Sequence, residues 1–261
     1  MDLRPLGSTG IDVSPLGLGS VKFGRNQQVK YPTGFQIPDD AAVGRLLAQA
    51  ADLGINLIDT APAYGTSEER LGQLLPGSRQ QWVIVTKVGE IFEEGVSRFD
   101  FSAEHTRASV ERSLRRLRTD YLDVVLIHSH GDDLAILERE PVLETLRDLQ
   151  REGKVRAIGM SSKTLEGGLQ VVARCDLVMA TCNLDYNEEL PVLQAAAEQG
   201  KGVLIKKGLM SGHVAGEEGV RRSMEFIFSQ PGVSSMIVGT INPDHLSTNV
   251  RLLEEVLSDA F

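Results

Sequence analysis

Short runs of consecutive apolar residues recur along the chain, and between them apolar positions repeat every three or four residues. The run Asp123-Val124-Val125-Leu126-Ile127 typifies the first pattern, which is how a parallel strand buried on both faces reads. Residues 103–118 typify the second. There Val110, Leu114 and Leu117 share one helical face, while Arg112, Arg115, Arg116 and Arg118 occupy the other. In chain order the pattern predicts a strand within 13–23, a long polar and aromatic loop over 24–37, and a helix opened by Pro38-Asp39-Asp40. Strand–helix pairs follow at 56–61 and 67–75, 82–87 and 103–117, 122–128 and 138–151, and 155–161 and 165–174. The series ends with 177–183 and 190–198, 202–207 and 219–229, and 234–239 and 243–257. No linker or shift of composition interrupts it, so residues 1–261 are expected to form a single domain. Eight strand–helix units in roughly 250 residues is the signature of a closed (β/α)8 TIM barrel. An open doubly wound sheet would place a glycine-rich phosphate loop after its first strand. Gly17-Leu18-Gly19 has neither the spacing nor the following helix for that.

Composition narrows the function. A formal charge of −9 argues against nucleic acid or an anionic membrane as partner, while leaving room for a local basic site that takes a small anion. The amino end lacks the apolar run of a signal peptide, and no run reaches the ~18–20 apolar residues of a membrane span, so a cytoplasmic protein is expected. Cys175 and Cys182 form no ligand pattern and read as reduced, buried thiols; no metal site is expected. Nothing in the sequence marks an interface between subunits.

In a barrel of this kind the active site lies at the carboxyl ends of the strands, so the polar residues there carry the chemistry. Asp59 closes the second predicted strand, Lys87 the third and His128 the fourth; Tyr64 lies in the loop just beyond Asp59. A buried lysine needs a partner, and Asp59 on the neighbouring strand is the natural one. A free phenol has a pKa near ~10. An ammonium beside it stabilises the phenolate and is expected to bring Tyr64 down toward the range in which it donates protons readily. His128 is positioned to hydrogen-bond a substrate carbonyl and orient it. The set suits carbonyl reduction, for which the hydride must come from a cofactor. Imine chemistry on Lys87 is disfavoured because Asp59 would keep the amine protonated.

These residues resemble the aldo-keto reductase family. The similarity covers essentially the whole chain and rests on Leu16-Gly17-Leu18-Gly19-Ser20, Asp59-Thr60-Ala61-Pro62-Ala63-Tyr64-Gly65, Ser67-Glu68, Thr86-Lys87, residues 123–128 and residues 153–162. The resemblance implies NAD(P)H-dependent reduction of an aldehyde or ketone by the tetrad Asp59, Tyr64, Lys87 and His128, without a metal. It also implies a dinucleotide held along the strand ends. Gly19, Ser20 and Val21 belong to that set, with Ser161 and Ser162 on the nicotinamide carboxamide and Asn183 in place of the family's usual Gln. Lys206, Lys207, Gly208, Leu209, Ser211 and Gly212 correspond to the pyrophosphate loop, Lys206 standing where many members have a stacking Tyr. Gly239, Thr240, Asn242, His245 and Asn249 correspond to the adenosine end. Many members carry Lys and Arg at the positions of Gly239 and His245 to hold the 2′-phosphate of NADP; neither is present, so the resemblance leaves NADP or NAD open. Tyr31, Phe35 and Phe92 are candidates to line the substrate pocket. The sequence ends at Phe261, directly after the last predicted helix, so a long carboxyl-terminal capping loop is not expected. Replacement of the stacking aromatic keeps one alternative in view, a cofactor-binding regulatory barrel with little turnover.

Overall fold

The computed structural model describes residues 1–214 and 216–259; Phe261, on which the expectation of an uncapped pocket rests, lies outside them. An antiparallel hairpin of β1 (Arg4–Pro5) and β2 (Asp12–Val13) precedes β3 (Leu16–Gly19), which runs into a 3-10 turn over Val21–Phe23. Next come α1 (Asp40–Asp52), β4 (Leu57–Asp59), α2 (Ser67–Leu74) and β5 (Val83–Val88). A second hairpin, β6 (Glu90–Glu93) with β7 (Val96–Phe99), leads to α3 (Ala103–Leu117) and β8 (Leu122–His128). The chain continues through α4 (Asp133–Arg139), α5 (Val142–Arg151), β9 (Val155–Ser161), α6 (Leu165–Arg174), β10 (Leu177–Thr181) and α7 (Leu190–Glu198). It ends with β11 (Gly202–Lys206), α8 (Gly216–Phe228), β12 (Val233–Val238) and α9 (Pro243–Asp259).

The parallel strands close into a barrel in the order β3-β4-β5-β8-β9-β10-β11-β12, with β12 returning to β3. Its core has two layers. Inside the barrel, Leu57, Val85, Val124, Leu126, Leu177, Met179 and Leu204 pack together. Between strands and helices, the alternate residues Ile58, Ile84, Val125 and Ile127 meet buried helix residues such as Leu46, Leu71, Val110 and Leu146. Both faces of each strand are thus buried, which is why the strands read as unbroken apolar runs. The amino-terminal hairpin adds Leu6, Ile11 and Val13 to the inner layer, against the start of β11. Gly7 makes that approach possible: its φ is +56°, and a Cβ there would lie 2.3 Å from the Gly202 nitrogen.

Register carries the chemistry to one rim. Gly19 pairs with Asp59, Asp59 with Val85, Lys87 with Leu126, His128 with Ser161, and Thr181 with Lys206. The polar residues therefore collect at the carboxyl ends, while the hairpin plugs the opposite end.

Several elements depart from the sequence expectation. The helix expected over 138–151 is two helices, broken at Glu140-Pro141. Proline cannot donate a backbone hydrogen bond and pushes the residue before it toward extended geometry; Glu140 has φ −99° and ψ 145°. The extra helix α4 starts at Asp132, whose side chain accepts from the Ala135 nitrogen. The strand expected within 13–23 is split by Pro15 into the end of β2 and all of β3, and α8 begins at Gly216 rather than 219. Among the described residues no helix is long and apolar enough to cross a membrane.

Asp123 is buried under the strand starts. Its Oδ2 accepts from Arg79 Nη2 at 2.7 Å and from the Ile84 nitrogen at 3.0 Å, and its Oδ1 accepts from Arg156 Nη1 at 2.8 Å. Asp123→Ala would leave one backbone donor and two guanidinium groups without an acceptor. We expect a loss of roughly 3 kcal/mol in urea unfolding, with turnover per folded molecule unchanged; a loss below about 1 kcal/mol would show that water replaces the carboxylate.

Candidate active site

Lys87 is the anchor of the site. It is only 2% exposed, yet charged, so its three donors must be answered inside the protein. Its Nζ donates to Asp59 Oδ1 at 2.5 Å and to the Thr60 carbonyl at 2.8 Å, and sits 4.9 Å from the centre of the Tyr64 ring. Burial works against the ammonium, but Asp59 and the Tyr64 phenol outweigh it, and the pKa of Lys87 lies above the usual lysine value.

Tyr64 is set by close backbone packing. Gly65 has φ +63°, and a Cβ on it would lie 2.1 Å from the Gly24 oxygen; a Cβ on Gly24 would lie 2.3 Å from the Tyr64 oxygen. Two glycines back to back thus lock the turn after β4 against the 3-10 turn after β3. Arg25 Nη1 donates to the Ala63 carbonyl at 3.2 Å and holds the same turn from the other side. Burial drives the Tyr64 pKa upward; Lys87 pulls it down and Asp59 pushes it up again, and the net direction is upward. Lys87 therefore acts in the sense the sequence predicts, but it offsets the cost of burial without reversing it.

His128 presents its ring edge-on to Tyr64, with centroids 6.3 Å apart. Its Nδ1 lies 2.8 Å from Glu90 Oε2, close but out of line for a well-formed hydrogen bond. Glu90 Oε1 accepts from Ser97 Oγ at 2.6 Å and from Arg25 Nη1 at 3.1 Å. Burial raises the Glu90 carboxyl, but His128, Ser97 and Arg25 overcome it and hold it down to about 2. His128 is lowered, first by burial and then by the Lys87 and Lys206 charges, against the pull of Glu90. Glu90 reaches the rim only because the β6–β7 hairpin lifts it there, and Glu94-Gly95, both at positive φ, is the one local turn signal for that hairpin in the sequence.

Across the rim, Lys206 Nζ donates to Ser161 Oγ at 2.9 Å and to the Ser162 carbonyl. Burial carries its pKa well below the usual lysine range, opposed by Glu189. Lys206 is thus engaged with its neighbours on β9.

These residues surround a cavity of about 720 Å³. Asp59, Tyr64, Lys87 and His128 all line it. So do Gly19, Val21, Ser161, Lys206, Lys207, Leu209, Ser211, Gly212, Gly239, Thr240, His245 and Asn249. Five of the expected cofactor residues do not. Ser20 donates to the Asp59 carbonyl and Ser162 faces Glu189. Asn183 donates to the Lys207 carbonyl, Gly208 packs toward Met236 and Ile227, and Asn242 accepts from the Asp244 nitrogen. These five support the loops that form the wall. Tyr31 reaches the cavity from the 24–37 loop and crosses it: a Cβ on Gly239 would lie 2.5 Å from its hydroxyl. Phe35 packs edge-on against Tyr31, and Phe92 lies under the Arg25 guanidinium, 3.5 Å from it; neither lines the cavity.

The fit to a dinucleotide rests on charge and shape. In a chain of net charge −9, Lys22, Lys163 and Lys207 face this one cavity, a local concentration of cations suited to a pyrophosphate. Lys207, Met210, Ser211 and Gly212 have positive φ, so the loop after β11 turns its backbone tightly there.

Comparison with known proteins agrees with this geometry. The sequence matches the Aldo/keto reductase family over residues 15–224. It is 29% identical to L-galactose dehydrogenase of Arabidopsis thaliana over 99% of this chain and 90% of that protein. It is 31% identical to the NADH-specific methylglyoxal reductase of Escherichia coli over 81% of this chain and 68% of that protein. A crystal structure from Pseudomonas aeruginosa assigned to the aldo-keto reductases superposes with a TM-score of 0.90 at 56% identity, covering 98% of this chain and 96% of that one. An eight-stranded barrel with this rim, matched over most of its length, leaves one assignment: the chain belongs to the aldo/keto reductase family of oxidoreductases.

Proposed function

We propose that the chain reduces an aldehyde or ketone to an alcohol at the expense of NAD(P)H, with Tyr64 as proton donor. The observation that carries this reading is the placement of Lys87 Nζ between Asp59 Oδ1 and the Tyr64 ring at the wall of the cavity. A bound dinucleotide supplies the hydride. The chain's own residues handle the proton: the Tyr64 hydroxyl gives its proton to the carbonyl oxygen as that oxygen becomes an alcohol. The phenolate left behind is stabilised by the Lys87 charge, and Asp59 keeps that charge in place. His128, fixed against Glu90, orients the substrate. Lys207 and the turn at residues 209–212 would take the pyrophosphate, and Asn249 and His245 the adenosine end. A panel of short aldehydes, aromatic aldehydes, sugars and diketones, followed by cofactor absorbance, tests the reading; consumption of neither NADH nor NADPH with any of them would favour the regulatory barrel.

The cofactor prediction follows from what stands at the adenosine end. Charge-assisted hydrogen bonds to a 2′-phosphate are worth about 1.5–3 kcal/mol, and Gly239 and His245 supply no Lys or Arg for them. Titration by cofactor fluorescence is expected to give Kd values for NADH and NADPH within about tenfold of each other. A preference for NADPH of more than a hundredfold would mean that another cation of the cavity reads the phosphate.

A further inference from the structure

We propose that Lys206 is a carbonyl-reactive amine, and that the cavity takes a phosphorylated aldehyde by forming an imine with its Nζ. The inference starts from a contrast between two lysines of one rim. Lys87 is paired with the Asp59 carboxylate. Among the described residues Lys206 forms no ion pair; its Nζ donates to Ser161 Oγ at 2.9 Å and to the Ser162 carbonyl, both neutral. An ammonium carries three hydrogens and a neutral amine two. These two acceptors answer the amine in full. They leave an ammonium without a counter-charge and with a third hydrogen that meets no protein acceptor. The neutral form is the one that fits, and its lone pair is left for the cavity that Lys206 lines.

The charges around Lys206 favour the same form. Burial comes first and disfavours the ammonium. Lys207, just beyond β11, and Lys163, just beyond β9, add to it, against Glu189 ahead of α7 and Asp133 of α4. His128 at the end of β8 also stands within reach of the Lys206 charge. The net direction for Lys206 is downward. Glu189, the first of the opposing groups, is itself pushed upward by burial, toward its uncharged acid. The Asp133 carboxylate is already engaged: its Oδ2 accepts from the Lys163 nitrogen, the Thr164 nitrogen and Thr164 Oγ1, each at 2.8 Å. A desolvated amine set beside other cations is the environment that makes a lysine nucleophilic.

The step balances without a co-reactant. The Nζ lone pair attacks the carbonyl carbon and forms the N–C bond. The carbonyl oxygen then leaves as water, taking both amine hydrogens, and a C=N bond remains. Nothing is oxidised or reduced, and hydrolysis reverses the step. Asp59 denies this chemistry to Lys87 by holding its ammonium. The class of ligand follows from the surroundings. Lys163 and Lys207 line the same cavity as Lys206, so an aldehyde that carries a phosphate is held better than a neutral one. Because the proposed function gives Lys207 to the pyrophosphate, such an aldehyde and the dinucleotide exclude each other. This consequence rests on the proposed reduction; the imine itself does not.

The probe is pyridoxal 5′-phosphate, incubated with the full chain in the absence of dinucleotide, reduced with borohydride and located by peptide mass. The sequence holds eight lysines. At neutral pH Lys206 is expected to take the reduced adduct about tenfold or more faster than any other lysine, because those of ordinary pKa ~10.4 are almost wholly protonated there. Its labelling rate should level off by about pH 8, while theirs still climbs toward pH ~10.4. Lys206→Met should remove the fast adduct and the yellow imine absorbance. Lys207→Met should keep the adduct on Lys206 but weaken binding of the probe by about tenfold, the worth of one charge-assisted hydrogen bond. Labelling of Lys206 no faster than that of Lys154 and Lys201, or rising with pH as theirs does, overturns the proposal whatever the variants do. Unchanged affinity in Lys207→Met overturns the choice of a phosphorylated ligand. Saturating NADH or NADPH is expected to slow the labelling, and labelling undiminished beside a bound dinucleotide overturns the exclusion. If neither dinucleotide binds, the proposed reduction fails, and the peptide map still decides the imine.

Discussion

Tyr64→Phe should lower kcat for carbonyl reduction by roughly a thousandfold or more, while leaving cofactor affinity within about twofold of wild type. The substitution deletes one oxygen and keeps the ring, so the edge-on contact with His128 and the packing under Gly24 and Gly65 are retained. What is lost is the only hydroxyl of the four residues at this rim that stands beside a buried ammonium. Because burial keeps the Tyr64 pKa above the ordinary tyrosine value, the phenol stays protonated throughout the neutral range. The reductive kcat should therefore be level from about pH 6 to 9 and fall only as the tyrosine range is approached, near and beyond pH ~10. Steady-state kinetics with a saturating aldehyde, together with a fluorescence titration of the cofactor, separate the two effects. If Tyr64→Phe turns over at more than about a tenth of the wild-type rate, another group supplies the proton.

The fold and the catalytic rim were legible in the sequence for the same reason. Parallel strands buried on both faces hold few charged residues in their middles, so Asp59, Lys87 and His128 stand out at the ends of apolar runs. Register then brings them together without any further signal. The features that were not legible depend on contacts distant in sequence. Glu90 looks like one charge among several in a polar connection, and only pairing with residues 96–99 raises it to the rim. Arg25 sits in a loop without period; its importance comes from reaching Ala63 and Glu90, 38 and 65 residues away. Ser20, Ser162 and Asn183 fall at strand ends like the true lining residues, but their side chains turn into the wall. Strand position fixes the height of a residue on the barrel, and side-chain partners decide whether it faces the cavity. The break before α5 was legible in principle, since Pro141 announces it; the long apolar period on either side concealed it.

Lys87→Met should be the most destabilising single change at the rim and should also cost at least a hundredfold in kcat. Methionine fills a similar volume, so the loss is one of charge. Asp59 then keeps a buried carboxylate with no counter-ion, and the Thr60 carbonyl loses its donor. Removing one partner of a buried pair costs about 3–5 kcal/mol, most of it the penalty on the charge left behind. That logic supplies the decisive comparison. The double change Lys87→Met with Asp59→Asn removes both charges and should recover a large part of the stability in urea unfolding. It should recover none of the activity, because the phenolate would still have no cation beside it. Recovery of turnover in the double variant would mean that Lys87 serves the fold alone. The pH dependence has a definite sign. The folded-state pKa of Lys87 is raised above its ordinary value, so the stability contributed by its charge is fully present below about pH 10.4. It is lost only as pH climbs through the higher folded value. The wild type should thus lose stability on the far alkaline side faster than Lys87→Met does, and the gap between them should be constant across the neutral range. A gap that narrows between about pH 6 and 9 would show that Lys87 is not held as an ammonium, and with it the assigned tuning of Tyr64 would fall.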